Sequence, residues 1–182
     1  LNADPYNPVY AGKYDALGYI HDGWVDNDTL YAAHIGIGIM SIADMSDKSN
    51  PALLGTQITT DHFTHNTWMS KDRHTIFTTD EVDNSYLTAY DITDPTDIKF
   101  LDKAQANPGS GSIVHNTHIL NDYAVTSWYT DGVSIMDVSR PSNLVQTGWY
   151  DNAPNETGGG FNGCWGVYPF LPSGNIIATN IY

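Results

Sequence analysis

The sequence repeats itself three times and then in part a fourth, which confines it to folds whose similar units stack on one another. Three segments end alike: Ile42-Ala43-Asp44 running on to Asn50-Pro51, Tyr90-Asp91-Ile92-Thr93-Asp94-Pro95, and Met136-Asp137-Val138-Ser139-Arg140-Pro141. Their prolines stand at 51, 95 and 141. A second column precedes them, in His21-Asp22-Gly23-Trp24, His65-Asn66-Thr67-Trp68 and His115-Asn116-Thr117-His118. In the fourth copy Trp165 takes the place of the histidine, because Ile76-Phe77-Thr78-Thr79-Asp80 aligns with Ile176-Ile177-Ala178-Thr179-Asn180. Counted to the prolines, the units are 8–51, 52–95, 96–141 and 142–182.

Within a unit the pattern is short strands. Trp24-Val25, a turn at Asp26-Asn27-Asp28 and Leu30-Tyr31-Ala32-Ala33 predict a hairpin. Ile37 to Ile42 predicts a third strand, the Asp-x-Ser/Thr stretch a turn, and Leu53-Leu54-Gly55 the start of an outer strand. No stretch carries a helical period over about 11 residues. Units of about 45 residues with four strands each match the blades of a β-propeller, whereas a sandwich leaves the fixed period unexplained. The expected fold class is therefore all-β, a partial β-propeller forming a single domain over 1–182. The fourth unit reaches Ile181-Tyr182 after only its second strand, which leaves an open sheet edge. Missing blades or other chains are expected to complete the ring, and the isolated chain is expected to associate.

Composition agrees and excludes some partners. Of the 21 acidic residues all but Glu81 and Glu156 are Asp, a turn former and poor helix former. Only 7 basic residues oppose them, and a formal charge of −14 argues against nucleic acid, whose phosphates need a basic face. It equally disfavours an anionic membrane surface, and no apolar run approaches a membrane span. The single Cys164 allows neither an internal disulfide nor a cysteine-rich zinc site. The N-terminus, Leu1-Asn2-Ala3-Asp4, has no initiator methionine and no signal-like region, as expected of a processed chain or a piece of a longer one.

Several longer phrases carry a family likeness. His65-Asn66-Thr67-Trp68, Thr79-Asp80-Glu81, Leu87-Thr88-Ala89-Tyr90-Asp91-Ile92, Ser127-Trp128-Tyr129-Thr130-Asp131-Gly132 and Gly166-Val167-Tyr168-Pro169-Phe170-Leu171-Pro172-Ser173-Gly174-Asn175 resemble the LVIVD-repeat, choice-of-anchor B family. The resemblance implies a β-propeller-like bacterial protein that is secreted or held at the cell surface by a C-terminal tail. It implies no defined activity.

The histidine column suggests chemistry. In a propeller the first strand of each blade lies nearest the central channel, and the second returns antiparallel, so its end shares a rim with the start of the first. That rule gathers His21, His65 and His115 with His34, Asp80 and Glu81 from second-strand ends. Imidazole with carboxylate suits Zn, Mn or Fe; without thiolate or methionine ligands Cu(I) fits poorly. Protons should compete below about pH 6, near the ordinary histidine value of roughly 6.5. The same repetition also suits a structural role, with each imidazole bonded to a neighbouring blade's backbone, and the residues leave both readings open.

Other candidates read as structure. His62 and His74 fall in or near turns, and His118 replaces a packing tryptophan. Asp44, Asp91 and Asp137 recur where an Asx turn is expected. Calcium is a weaker option: Asp26-Asn27-Asp28 and Tyr129-Thr130-Asp131-Gly132 are oxygen-rich, but neither is an EF-hand loop. Gly109-Ser110-Gly111-Ser112 lacks the strand-to-helix setting of a nucleophile elbow. Two functions are thus expected: an extracellular or cell-surface module binding protein or glycan, or a metal-dependent hydrolase or oxidoreductase acting at the channel rim.

Overall fold

The computed structural model describes residues 4–181, an all-β chain with strands in four antiparallel sheets. Sheet 1 comprises β1 (Asp22–Asp26), β2 (Thr29–His34), β3 (Ile39–Asp44) and β4 (Ala52–Ile58). Sheet 2 comprises β5 (Thr64–Met69), β6 (Thr75–Asp80), β7 (Leu87–Asp91) and β8 (Lys99–Ala104). Sheet 3 comprises β9 (Val114–Leu120), β10 (Tyr123–Trp128), β11 (Gly132–Asp137) and β12 (Val145–Tyr150). Sheet 4 holds β13 (Gly163–Tyr168) and β14 (Ile177–Ile181). The only helical segments among the described residues are single 3-10 turns at Ile35–Ile37 and Tyr129–Asp131.

Each strand order is a meander, set by local turns. Asn27 and Asp28 both adopt positive φ, 42° and 56°, which is the two-residue hairpin geometry that Asn and Asp tolerate best. The recurrent aspartates make Asx turns: the Asp44, Asp91 and Asp137 carboxylates accept the N–H of Ser46, Thr93 and Ser139 at 2.8–2.9 Å. Each turn reverses the chain so that the segment after it pairs with the strand before it, as Ala52 does with Asp44. The sheets therefore divide at 59–63, 105–113 and 151–162, whereas units counted to the prolines separate every outer strand from its own sheet.

The sheets stack face to face, and their first strands adjoin one another around a central axis. Alternation along the strands feeds two cores at once. In β6, Ile76 joins Met40, Ile42 and Tyr90 between sheets 1 and 2, while Phe77 joins Val114, Trp128 and Met136 between sheets 2 and 3. In β10, Ala124 points to the latter core and Val125 to Cys164 and Val167 of β13. Hydroxyls stitch the inner strands across blades: Thr67 Oγ1 donates to the Tyr31 carbonyl at 2.8 Å, and Thr79 Oγ1 to that of His115.

Sheet 4 ends the stack differently. Among the described residues β14 pairs only with β13, so its outer edge is open. Beside it, Ile135, Trp149, Ile176 and Ala178 line an apolar groove of about 440 Å³, where third and fourth strands lie in the other sheets. At the opposite end of the stack, the segment before β1 does not form a strand; Tyr14 donates its hydroxyl to Ser41 Oγ at 3.1 Å instead. An open edge beside exposed apolar side chains recruits further strands. The isolated chain should therefore sediment as dimers or larger species at micromolar concentration, with Ile177→Lys shifting it toward monomer. A dispersed monomer for the unaltered chain would count against this.

Candidate metal centre at the channel mouth

Backbone irregularities at one register set the site. Between β5 and β6 the pairing runs Thr64 to Asp80 and then Asn66 to Thr79, leaving His65 as an extra residue. The same slip leaves Trp165 unpaired between β13 and β14, and His115 with Asn116 opposite Ser127 between β9 and β10. A β-bulge bends its strand and re-aims the extra side chain, here toward the channel. Gly163 opens β13 at φ +95°, and a Cβ there would collide with the Tyr129 carbonyl, so glycine is needed for the strand to lie that close. His21 reaches the same mouth in a similar way: its N–H donates to the Ala33 carbonyl at 2.9 Å although Asp22 is the residue paired with Ala33, so two residues stand opposite one.

The rings form a continuous row. Ring centroids lie 4.5 Å apart for His21 and His65, 4.2 Å for His65 and His115, and 5.4 Å for His115 and Trp165. Glu81, one residue past β6, turns its carboxylate inward, with His115 Nε2 at 3.4 Å and His65 Nε2 at 3.8 Å. Donor atoms of His21, His65 and Glu81 all lie within 4.8 Å of one another. These residues border a cavity of about 350 Å³ together with Asp22 and Trp165.

The proton inventory leaves the carboxylate without a positive partner. Burial, then the neighbouring His21, pushes the His65 imidazole down to about 4. Burial and His65 push His115 down to about 4 against the opposing pull of Glu81. Both are neutral at pH 7. His115 Nδ1 donates to the Trp165 carbonyl, which orients the Nε2 lone pair toward Glu81. His65 Nδ1 is buried without any partner. Tyr129 donates its hydroxyl to Glu81 Oε1 at 2.6 Å; burial and the charge of Glu81 raise that phenol, so it stays a donor. Neutral imidazole lone pairs and one carboxylate converging on a cavity form a hard-to-borderline ligand set for a divalent cation. Protonation of these two rings competes near pH 4, not near 6, because burial displaces them from the unperturbed value.

Two residues expected at this rim lie elsewhere. His34 is fully buried in sheet 1, with Nδ1 bonded to the Tyr19 carbonyl at 2.9 Å and Nε2 to Ser41 Oγ at 2.8 Å, so neither nitrogen is open to a metal. Asp80 is also fully buried and holds the loop before β5, accepting from Thr59 Oγ1 at 2.5 Å, the Phe63 N–H at 2.8 Å and the Asp61 N–H at 3.1 Å. The reason is strand parity: Asp80 and Glu81 are consecutive, so their side chains take opposite sides. His21, His65, His115 and Glu81 are brought together. His62 and His74 are exposed, and His118 packs on Trp68 at a centroid distance of 4.5 Å. The oxygen-rich turns are spent on protein partners, Asp26 on Arg73, Asp28 on Lys48 and Asp131 on Ser110.

Three contributors were not among the expected site residues. Asn66 donates to Asp22 at 2.7 Å and accepts the Thr117 N–H at 3.1 Å, tying sheets 1 and 3 across sheet 2. Its signal was the Asn that follows His in two repeats. Tyr129 stands at the second-strand end of sheet 3, the position Glu81 holds in sheet 2. The Trp165 carbonyl had no side-chain signal at all.

No protein-family model and no curated protein matches the sequence. Solved structures match in fold. The computationally designed Ika4 protein aligns with TM-score 0.63 and 9% identity over 97% of this chain and 99% of its own. The periplasmic gluconolactonase PpgL of Pseudomonas aeruginosa aligns with TM-score 0.62 and 11% identity over 89% of this chain and 47% of its own. The β-propeller domain of Myceliophteria thermophila Cps50 (Swd1) gives TM-score 0.53 and 11% identity over 77% and 46%. The chain spans about half the length of these two natural proteins. At such identities the likeness is one of fold: the chain is a β-propeller module.

The buried imidazoles make folding pH-dependent. Unfolded, they take up protons near 6.5; folded, only near 4, so between those values the unfolded state binds more protons and stability falls as pH falls. In metal-free buffer the denaturant midpoint should drop across this window, and His65→Gln, which cannot titrate there, should flatten the drop. Identical slopes for both proteins would contradict the assignment.

Proposed function

We propose that this β-propeller binds a divalent transition metal at one mouth of its channel, through His21, His65, His115 and the Glu81 carboxylate. The carrying observation is the convergence of two neutral, buried imidazoles and a third, exposed one, from the same register of three consecutive blades, on one carboxylate that no Lys or Arg among the described residues neutralises. Zn, Mn or Fe suits these nitrogen and oxygen donors, and calcium, which prefers all-oxygen shells, suits them less. Four protein ligands or fewer leave room on a five- or six-coordinate ion for a water or substrate. This supports a metal-dependent hydrolase or oxidoreductase as the enzymatic form of the reading. Tyr129 and the Trp165 carbonyl would serve as the outer partners that orient Glu81 and His115.

A second reading, a binding or assembly module for protein or glycan, draws on the open β14 edge and the apolar groove beside it. Both readings are compatible with a secreted or surface-held bacterial protein, the location supported by the likeness of Leu87-Thr88-Ala89-Tyr90-Asp91-Ile92 and the other phrases to LVIVD repeats. Protease treatment of intact source cells should then degrade the protein; full protection would remove that location.

Elemental analysis of untagged protein tests the metal reading. About one equivalent of Zn, Mn or Fe should survive dialysis, His65→Ala should lose most of it, and His74→Ala, at an exposed turn, should keep it. A folded protein that takes up no metal from any of the three salts would end the proposal.

A further inference from the structure

The other end of the channel carries a cluster of rings. Three residues after each member of the histidine column stands a ring: Trp24, Trp68, His118 and Tyr168. Side chains three apart on a regular strand face opposite sides, but the bulge at His65, His115 and Trp165 adds a residue, so both columns look into the channel. Trp68 lies 4.1 Å from Trp24 and 4.5 Å from His118, ring centre to ring centre, and Phe170 stacks on it at 5.7 Å and 18°. Tyr168 meets the edge of Phe170 at 5.4 Å. Together the rings floor a cup of about 690 Å³, the size range of small-molecule sites and nearly twice the volume at the metal mouth.

The charge of this cup departs from the rest of the molecule. Of 7 basic residues in a chain of net charge −14, Lys71 and Arg73 both stand at its rim. Arg73 is tied to Asp26, whereas Lys71 makes no ion pair among the described residues. The Asn121 side chain also borders the cup without a protein hydrogen bond. Trp24 Nε1 and His118 Nδ1 are buried without protein partners. An anion attracted to Lys71 accounts for the basic rim. The aromatic floor suits a ring with an apolar face, and Asn121 and Asp26 suit hydroxyls. A planar aromatic acid would use the floor and Lys71 but leave those polar groups unanswered.

We propose that this cup binds a saccharide ring carrying a carboxylate, a uronic-acid unit of an acidic glycan. The pyranose C–H face lies against the rings, the carboxylate meets Lys71, and hydroxyls reach Asn121 and Asp26. The site stands independently of the metal centre.

Tryptophan fluorescence of the full chain in EDTA, titrated with tri-uronates of the galacto and gluco series, tests it. At least one tri-uronate should quench saturably, and the corresponding neutral trisaccharides and benzoate should bind at least tenfold more weakly. The exposed substitution Lys71→Glu should weaken uronate binding roughly tenfold or more. Asn121→Ala should weaken it less, and His74→Ala, at an exposed turn, should leave it unchanged. No saturable quenching by either tri-uronate, equal binding of neutral sugar or benzoate, indifference to Lys71→Glu, or loss in His74→Ala would each overturn the proposal.

Discussion

Consecutive side chains of β6, Ile76 and Phe77, are both fully buried, and they point to opposite sides of sheet 2. Neither could be covered by its own sheet. A four-stranded meander of this size has two apolar faces and no interior, so each sheet becomes stable only when its neighbours press on it. Everything else in the molecule follows from that stacking. The inner strands are brought side by side, and their backbone and hydroxyl groups are drawn into bonds that cross blades, such as Thr67 to Tyr31 and Asn66 to Asp22 and Thr117.

Stacking also explains why imidazoles and a carboxylate gather at the channel. A first strand that must approach its neighbours closely yet still pair with its second strand accumulates a mismatch, and the bulges at His65, His115 and Trp165 absorb it. The extra residue at each bulge points to the axis. Burial there removes water from the imidazoles and favours their neutral form, which is the form that binds metals. The same geometry directs the second column, Trp24, Trp68, His118 and Tyr168, into the opposite mouth. One repeated irregularity thus builds two chemically different ends of one channel.

Much of this could be read along the chain. The prolines at 51, 95 and 141 and the histidine column set the period, and the period with its short strands gave a propeller of four-stranded blades. Register arguments brought His21, His65, His115 and Glu81 to one rim, because the column marks equivalent backbone positions. They misplaced His34 and Asp80. Rim position depends on the end of a strand, which sequence reveals; facing depends on parity, which one bulge or one residue reverses. His34 and Asp80 are fully buried and bond Ser41 of β3, the Tyr19 carbonyl and the loop before β5 instead.

The division between the two levels is physical. Local interactions are encoded locally: Asx turns at Asp44, Asp91 and Asp137, the Asn27-Asp28 hairpin and the alternation of apolar residues need only a few neighbours to act. For that reason the sequence alone determined the fold class, the repeat and the rim on which the column of His21, His65 and His115 lies. Tertiary structure decided what those histidines became. The Tyr129 bond to Glu81 and the Trp165 carbonyl on His115 join residues 48 and 50 positions apart, and such contacts exist only once sheets 2, 3 and 4 have closed on one another. Desolvation of the imidazoles is likewise a property of the closed stack, because no single strand can exclude water from its own side chains.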